Sequence, residues 1–403
     1  MSVSPSLKSL QQNAAAADTW IQSVEPATYP EILETLFPVA GMVAAQKEIS
    51  QWPEYKPTAL ISLTTLATAA GVGQVLYKDE STRLGLGSFK ALGGAYAVLH
   101  YLSKRLSADT GKNIKMSDIR AGIYREQTSA LTVATATDGN HGRSVAWGAR
   151  QAGCQCRIYI HREVSQGREQ AMSALGADVV RIDGDYDESV QRCASDSEQH
   201  NWQVISDTSY EGYRDIPRQV MAGYTTMIRE ILDESGKPPT HVFVQAGVGG
   251  LAGAVAAALW AELGDAMPKL VVVESSHADC IIRSMRANAV ANVKVEHETI
   301  MAGLSCGEMS EVAYDILSRC TTAVMTLPDD EVAHAMKIMA AGQAADQTLE
   351  AGECAVPGII ALLAACKDSA LTEHLGLSGE SRVLVFGCEG ATDPVLYQQL
   401  LAH

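Results

Sequence analysis

The chain has 403 residues, which is enough for two domains or for one large domain. Its 31 Lys and Arg residues against 47 Asp and Glu give a formal charge of -16, which argues against a nucleic-acid or anionic-membrane partner. With 47% apolar residues, 33 glycines and only 5% aromatic residues, the composition is typical of a Gly- and Ala-rich α/β enzyme.

Targeting and metal signals are missing from the sequence. The N-terminal string MSVSPSLKSLQQNAAAADTW has neither an apolar core nor an Arg-rich pattern, and no apolar run is long enough to span a membrane, so we expect a cytoplasmic protein. The nine cysteines form no repeated C-x-x-C, and the close pair Cys154 and Cys156 has no histidine at ligand spacing. We therefore expect reduced thiols and no metal site.

Short strands alternate with amphipathic helices from residue 58 onward, after an N-terminal extension that we expect to pack on the main body. Helices are predicted at 63–70, 89–106, 142–152, 166–175 and 187–200, and an Ala-rich helix ends at 263. Strands are predicted at 75–78, 132–135, 156–160, 178–182, 203–205, 241–245, 270–274 and 383–386. This alternation predicts an α/β fold with parallel sheets and helices on both faces.

A glycine-rich turn, GVGGLAG at 247–253, follows the predicted strand 241–245. Glycines let backbone N–H groups approach an anion at the start of the next helix, so the turn could bind a phosphate. It could equally begin a dinucleotide site, because Glu274 closes the next strand where a ribose-binding acid would lie. Close packing of helix on strand without any ligand is a third interpretation.

Lys90 lies in the string SFK, in the first turn of the predicted helix 89–106. Most lysines are surface charges. A cation at a helix N-terminus opposes the helix dipole, however, so this position favours the neutral amine that forms an imine with an aldehyde cofactor.

Two further polar segments follow predicted strands. The turn TDGNHG at 137–142 could serve only to begin the next helix, or it could present side chains to a ligand. Cys388 follows the last strand, at the end of a parallel strand where α/β proteins bind ligands.

These motifs in this order resemble the pyridoxal-phosphate enzymes of the threonine dehydratase and tryptophan synthase β type, also called fold type II. Within that group the sequence is most similar to the diaminopropionate ammonia-lyase family, and Asp138 before Gly-Asn-His distinguishes it from plain dehydratases, which usually have Ser there. The resemblance runs over residues 78–393 in the strings KDES, FKALGGAYA, TATDGNHGRSVAW, DTSYEGY, QAGVGGLAG, IMAGLSCGE and CEGATD.

The resemblance implies a role for each motif toward pyridoxal phosphate. Lys90 would hold the cofactor as a Schiff base, Phe89 would line its pocket and Asn140 would donate to its phenolic oxygen. Cys388 would face the pyridine nitrogen, where relatives often have Ser or Thr. The phosphate would lie on the backbone of Gly247, Val248, Gly249, Gly250 and Leu251.

The implied reaction is elimination from 2,3-diaminopropionate to pyruvate and ammonia. It needs a base, a way for the β-amine to leave as ammonia, and recognition of a second ammonium group. Asp138 and Asp207 are the acids predicted for these tasks, although Asp207 could also be a capping or surface carboxylate.

The resemblance also implies two three-layer αβα domains and a homodimer. Residues 1–88 with 212–403 would form the large cofactor-binding domain, and residues 89–211 a small mobile domain that closes over the substrate. Cys280 and Cys306 lie in strings that look specific to the family, so we expect them near each other at the mouth of the site.

Three other functions compete with this one. A threonine or serine dehydratase shares the fold and cofactor but eliminates water from a β-hydroxyl group. A nicotinamide-dependent oxidoreductase would explain the glycines and Glu274, yet it leaves SFK and DGNHG unexplained. A non-catalytic binding module is the third.

Overall fold

The computed structural model describes residues 3–24 and 28–402, which fold into two compact units. Unit 1 contains the described residues up to 39, residues 57–82 and those from 227 onward; unit 2 contains residues 40–56 and 83–226. The units differ from the predicted domains in that residues 40–56, 83–88 and 212–226 belong to unit 2. The closing motion of a small domain stays a prediction.

Unit 1 is built on a seven-stranded sheet with the order β1-β10-β9-β8-β11-β3-β2. Its strands are β1 (Asp18–Ile21), β2 (Leu60–Ser62), β3 (Gln74–Asp79), β8 (His241–Gln245), β9 (Lys269–Ser275), β10 (Thr321–Leu327) and β11 (Arg382–Gly387). The five central strands run parallel, and the two edge strands β1 and β2 are antiparallel to their neighbours. Every residue of β8 and β10 is buried, as expected for strands that helices cover on both faces.

The helices of unit 1 connect these strands or cover the sheet. They are α1 (Pro5–Asn13), α2 (Glu31–Leu36), α4 (Thr64–Ala70), α12 (Thr226–Glu234, whose first residue belongs to unit 2), α13 (Gly250–Leu263), α14 (Cys280–Ala287), α15 (Glu311–Cys320), α16 (Val332–Ala340), α17 (Pro357–Lys367), α18 (Ser369–Leu375) and α19 (Pro394–Ala402).

Unit 2 contains a parallel four-stranded sheet with the order β6-β5-β4-β7. Its strands are β4 (Thr132–Ala136), β5 (Gln155–Ile160), β6 (Asp178–Arg181) and β7 (Gln203–Val204). Its helices are α3 (Val39–Ile49, whose first residue belongs to unit 1), α5 (Lys90–Thr110), α6 (Met116–Arg120), α7 (Arg125–Ser129), α8 (Asn140–Ala152), α9 (Gln166–Ser173), α10 (Tyr186–His200) and α11 (Asp215–Tyr224).

Glycines allow α5 to pack closely against α8 and α11. A Cβ on Gly93 would lie 2.6 Å from the carbonyl oxygen of Val220, and one on Gly148 would lie 2.7 Å from the Cα of Ala95. Real Cβ atoms do not approach other atoms this closely, so larger residues would push the helices apart. The glycines of FKALGGAYA therefore fix the helix that begins at Lys90.

The predicted α/β class with mostly parallel sheets is confirmed. The N-terminal extension packs as expected: β1 pairs with β10, and the Ser4 hydroxyl in front of α1 donates to Gln343 at 2.8 Å. Strands β1, β2 and β10 were not predicted. Two of them are short edge strands, and the Thr-rich sequence of β10 lacks the aliphatic run seen in β8 and β11.

Two further observations bear on the protein class. None of the helices in the described ranges is long and apolar enough to cross a membrane. All nine cysteines lie in the described ranges, and they are thiols that are buried or half-buried.

Glu274, near the end of β9, caps the helix that follows. Its carboxylate accepts hydrogen bonds from the backbone N–H groups of Ile281 at 2.9 Å and Ile282 at 2.7 Å, at the start of α14. The side chain is fully buried, and burial raises its pKa to about 8 even though the two N–H donors lower it. This carboxylate is therefore part of the protein core.

We expect Glu274 to make the stability of the protein depend on pH. Because its pKa rises from 4.5 to about 8 on folding, its contribution is complete below the lower value and is lost as the pH rises through the upper one. Glu274→Gln cannot ionise, so the fall in unfolding free energy between about pH 6 and 8, on the order of 1 to 3 kcal/mol, should disappear.

Urea unfolding at several pH values measures this effect. The exposed Glu380 provides a matched control, since Glu380→Gln should keep the wild-type pH dependence. An unchanged slope in Glu274→Gln would contradict the assignment.

Candidate active site

Lys90 begins α5 in unit 2, and its amine forms an ion pair with Asp207. The distance from Nζ to Oδ2 is 2.7 Å, and the two side chains are 25% and 16% exposed. The backbone N–H of Lys90 also donates to the Ser88 hydroxyl at 3.3 Å. The two partners are 117 positions apart in the sequence, so tertiary packing, and no local motif, brings them together.

Asp207 changes the sequence-based argument about the charge of Lys90. Burial alone raises the pKa of the Asp207 carboxyl, but the Lys90 ammonium outweighs burial and holds this pKa well below its usual range. The helix dipole favours a neutral amine, whereas the carboxylate at 2.7 Å favours the ammonium. A counter-ion at this distance is the stronger effect, and the sequence did not reveal it.

His141 lies beside the ion pair as a neutral imidazole. Its Nε2 is 2.8 Å from the carbonyl oxygen of Ile205 and so carries the ring proton, and its Nδ1 is 3.8 Å from Oδ2 of Asp207. Burial lowers the pKa of His141, followed by the opposing attraction of Asp207. Nδ1 has no hydrogen-bond partner among the described residues.

The turn that carries Asp138 is organised by Thr137. The Thr137 hydroxyl accepts hydrogen bonds from the N–H groups of Gly139 at 3.1 Å and Gly142 at 3.3 Å, which shapes the turn between β4 and α8. Asn140 is the first residue of α8 and is half-buried. The turn therefore leads directly from Asp138 to His141, which contacts the Lys90–Asp207 pair.

Asp138 receives a hydrogen bond from a residue that sequence reasoning missed. Its Oδ1 is 3.1 Å from Nε2 of His161, and the side chains are 35% and 15% exposed. His161 follows β5, the neighbour of β4 in the sheet. A search for polar residues after each predicted strand would have found it.

Phe89 anchors the start of α5. The side chain is buried, and its ring meets that of Tyr224 edge-on with centroids 4.7 Å apart. This contact fixes the residue next to Lys90. A contact of Phe89 with a cofactor stays a prediction, as do the predicted roles of Asn140 and Asp138.

In unit 1, the glycine turn leads from β8 into α13, which begins at Gly250. Gly249 has φ +92°, a left-handed conformation that side chains disfavour. A Cβ on Gly247 would lie 2.6 Å from the carbonyl oxygen of Gly303. The turn thus presents the unpaired N–H groups of a helix start and has no room for side chains at this glycine, which fits a phosphate cradle. Val248 and Leu251 belong to the same segment.

Cys280 and Cys306 both border Gly247. The Cys280 thiol lies 3.8 Å from the carbonyl oxygen of Gly247, and a Cβ on that glycine would be 2.9 Å from Sγ of Cys306. Burial raises the pKa of Cys280 well above its usual range, and both residues are thiols.

Cys388 directly follows β11, the last strand of unit 1, and is a buried thiol. It donates to the carbonyl oxygen of Cys354 at 3.1 Å, and the amide of Gln245 donates to the same oxygen at 2.6 Å. Its contact with a pyridine nitrogen stays a prediction. Sequence reasoning also missed a buried cluster of Glu353, Cys354 and Glu389. The carboxylate oxygens and the sulfur of these side chains lie within 4.8 Å of one another.

The structure argues against a nicotinamide site. That interpretation required the Glu274 carboxylate to bind a ribose, whereas it is fully buried and bound to two N–H groups of α14. The oxidoreductase hypothesis therefore has no acidic residue at this position to bind a ribose.

Comparisons with known proteins identify the family of the chain. Residues 52–388 match the family described as pyridoxal-phosphate dependent enzyme. The diaminopropionate ammonia-lyase of Escherichia coli strain K12 is 37% identical over 353 residues, covering 86% of this chain and 87% of that protein. The D-serine dehydratase of Serratia proteamaculans strain 568 is more distant, at 26% identity over 64% of this chain and 60% of its own.

Solved structures give the same result. Two crystal structures of the Escherichia coli ammonia-lyase, in complex with an aminoacrylate-PLP azomethine reaction intermediate and with D-serine, each match with a TM-score of 0.83 and 34% identity, covering 95% of this chain and 96% of theirs. The cofactor is pyridoxal phosphate, which fits the amine at the start of α5 and the glycine turn at the start of α13. The chain therefore belongs to the family of pyridoxal-phosphate-dependent enzymes and is similar, within that family, to the diaminopropionate ammonia-lyases.

Proposed function

We propose that the protein converts 2,3-diaminopropionate and water to pyruvate and two molecules of ammonia. Identity of 37% to an ammonia-lyase, against 26% to a D-serine dehydratase, supports this reaction over elimination of water. An amino acid as the substrate class is further supported by the relative that binds D-serine. A homodimer and a cytoplasmic location stay predictions.

The proposed cofactor-binding groups are a lysine of unit 2 and a glycine turn of unit 1, together with the side chains that would contact the cofactor ring. Lys90 would hold pyridoxal phosphate through its amine, and the backbone N–H groups of the glycine turn 247–251 would bind the phosphate. Phe89 and Asn140 are proposed to line the ring, and Cys388 to face its nitrogen. When bound, the cofactor supplies the electron sink that stabilises negative charge on the substrate's α-carbon.

Lys90 and Asp207 handle the first proton in this proposal. The amine of Lys90 removes the α-proton and becomes an ammonium at Nζ, and the Asp207 carboxylate stabilises that charge at hydrogen-bond distance. Because the pKa of Asp207 is well below its usual range, this residue stays ionised at neutral pH. It is therefore suited to hold an ammonium and poorly suited to take a proton itself.

Asp138 recognises the second ammonium group of the substrate. Its Oδ1 is engaged by His161, and no other group in the described part of the chain donates to its carboxylate, so Oδ2 can accept from a ligand. A carboxylate here binds the β-ammonium and keeps it protonated, so that the group takes the electron pair of the broken C–N bond and leaves as neutral ammonia. A β-hydroxyl substrate carries no such charge.

The observation that carries the proposal is the presence of two aspartates in unit 2 with different surroundings. Asp207 is occupied by Lys90, and Asp138 has an oxygen to spare. A substrate with a second amino group matches this arrangement, since its β-ammonium needs an acceptor that Lys90 does not already occupy.

Lys90→Ala should abolish turnover and the visible absorbance of the bound cofactor, because no other amine is proposed to hold it. Absorbance spectra and ammonia release measure the two effects. Lys104 is an exposed lysine on the same helix, and Lys104→Ala should behave like the wild type. A Lys90→Ala protein that keeps the cofactor band would disprove the assignment.

Asp138→Asn should leave the cofactor spectrum intact and lower kcat/KM for diaminopropionate. Losing one charge-assisted contact costs on the order of 2 to 4 kcal/mol in transition-state stabilisation, which corresponds to about 30-fold to 1000-fold. Asp138→Ser should raise the relative preference for serine or threonine.

Steady-state assays of pyruvate formation with both enantiomers of diaminopropionate, and with serine and threonine, test this prediction. Asp187 is exposed on α10, so Asp187→Asn is the matched control. The proposal is wrong if Asp138→Asn keeps wild-type efficiency, or if the wild-type protein eliminates water from threonine faster than ammonia from diaminopropionate.

A further inference from the structure

His161 has a place in the site that the proposed function does not use. It is the residue directly after β5, which pairs in parallel with β4 up to Tyr159 opposite Ala136. The same ends of neighbouring parallel strands meet at one edge of the sheet, so His161 reaches the turn that carries Asp138. The Nε2 to Oδ1 distance of 3.1 Å is that of a hydrogen bond.

The hydrogen-bond pattern assigns the direction of this contact. Nδ1 of His161 accepts from the backbone N–H of Glu163 at 3.4 Å, so the neutral ring carries its proton on Nε2 and donates it to Asp138. The ring also meets that of Tyr186 at 86° with centroids 6.4 Å apart. The imidazole is therefore held on two sides.

Arg181 fixes the loop that bears His161. Its Nη1 donates to the carbonyl oxygens of His161 at 3.2 Å, Arg162 at 2.8 Å and Val164 at 2.8 Å. Its Nη2 pairs with the carboxylate of Glu169 at 2.5 Å. One guanidinium thus ties three carbonyls of this loop to α9, which gives the histidine a defined position.

We propose that His161 is the positioning residue of Asp138. By donating to Oδ1 it fixes the rotation of the carboxylate and leaves Oδ2 directed to the substrate's β-ammonium. Without this donor the short side chain of a partly exposed aspartate samples several rotamers, and the productive one is less populated. The inference rests on the proposed function of Asp138 and adds that His161 orients the Asp138 carboxylate for this function.

A double-mutant cycle in the holoenzyme tests the proposal. His161→Ala should lower kcat/KM for diaminopropionate by about 10-fold to 100-fold while the cofactor spectrum and thermal midpoint stay unchanged. His161→Gln should recover most of the loss, because its Nε2 can donate the same hydrogen bond. In an Asp138→Asn background, His161→Ala should have less than about a two-fold further effect. His297→Ala, an exposed histidine variant, is the control.

Each outcome decides the question. Losses that multiply in the double variant would show that His161 acts independently of Asp138 and would overturn the proposal while the role of Asp138 survives. Wild-type activity of His161→Ala alongside an impaired Asp138→Asn would do the same. If Asp138→Asn itself is fully active, the proposed function of Asp138 fails, and the positioning role fails with it. If His161→Ala does not fold, the degree of rescue in His161→Gln gives the result, and a loss as large as that of Asp138→Asn counts against the proposal.

Discussion

The ion pair between Lys90 and Asp207 is the interaction on which the rest of unit 2's site depends. A lysine at the start of a 21-residue helix meets the positive end of the helix dipole, and only a nearby anion offsets this repulsion. Asp207 supplies that anion at 2.7 Å. The close packing of α5 on α8 and α11 determines where the amine lies, and the segment after β7 determines where the carboxylate meets it.

His141 stays neutral beside this ion pair, so Lys90 is the cation that Asp207 binds. A protonated imidazole 3.8 Å from Asp207 would compete with Lys90 for the carboxylate, but burial lowers the pKa of His141 and leaves the ring neutral at physiological pH. The single proton of the neutral ring lies on Nε2, 2.8 Å from the carbonyl oxygen of Ile205, and so is directed away from Asp207.

The sequence could predict the four strands of unit 2 and four of the five central strands of unit 1, all but β10, since parallel strands buried on both faces appear as short apolar runs between helices. Strand β8 was predicted with the bounds that the structure has. The glycine turn, Lys90 and Asp138 carry local signals of turn and helix start. The contact of Lys90 with Asp207 could not be predicted, because the two residues are 117 apart and meet only through tertiary packing. His161 follows a predicted strand, but its contact with Asp138 depends on which strands are neighbours in the sheet.

The two aspartates divide the proposed reaction between them because their environments differ. A carboxylate with a strongly lowered pKa is a weak base, so in the proposed reaction Asp207 serves as a fixed counter-ion for Lys90 and takes no proton itself. Asp138 has no lysine partner in the described part of the chain, and its side chain is 35% exposed. It can therefore bind a charged group of the substrate in the proposed reaction. A serine in its place would accept a hydrogen bond without countering a charge. In the proposed reaction the choice of β-substituent thus depends on Asp138, while the cofactor and Lys90 can act on either class of substrate.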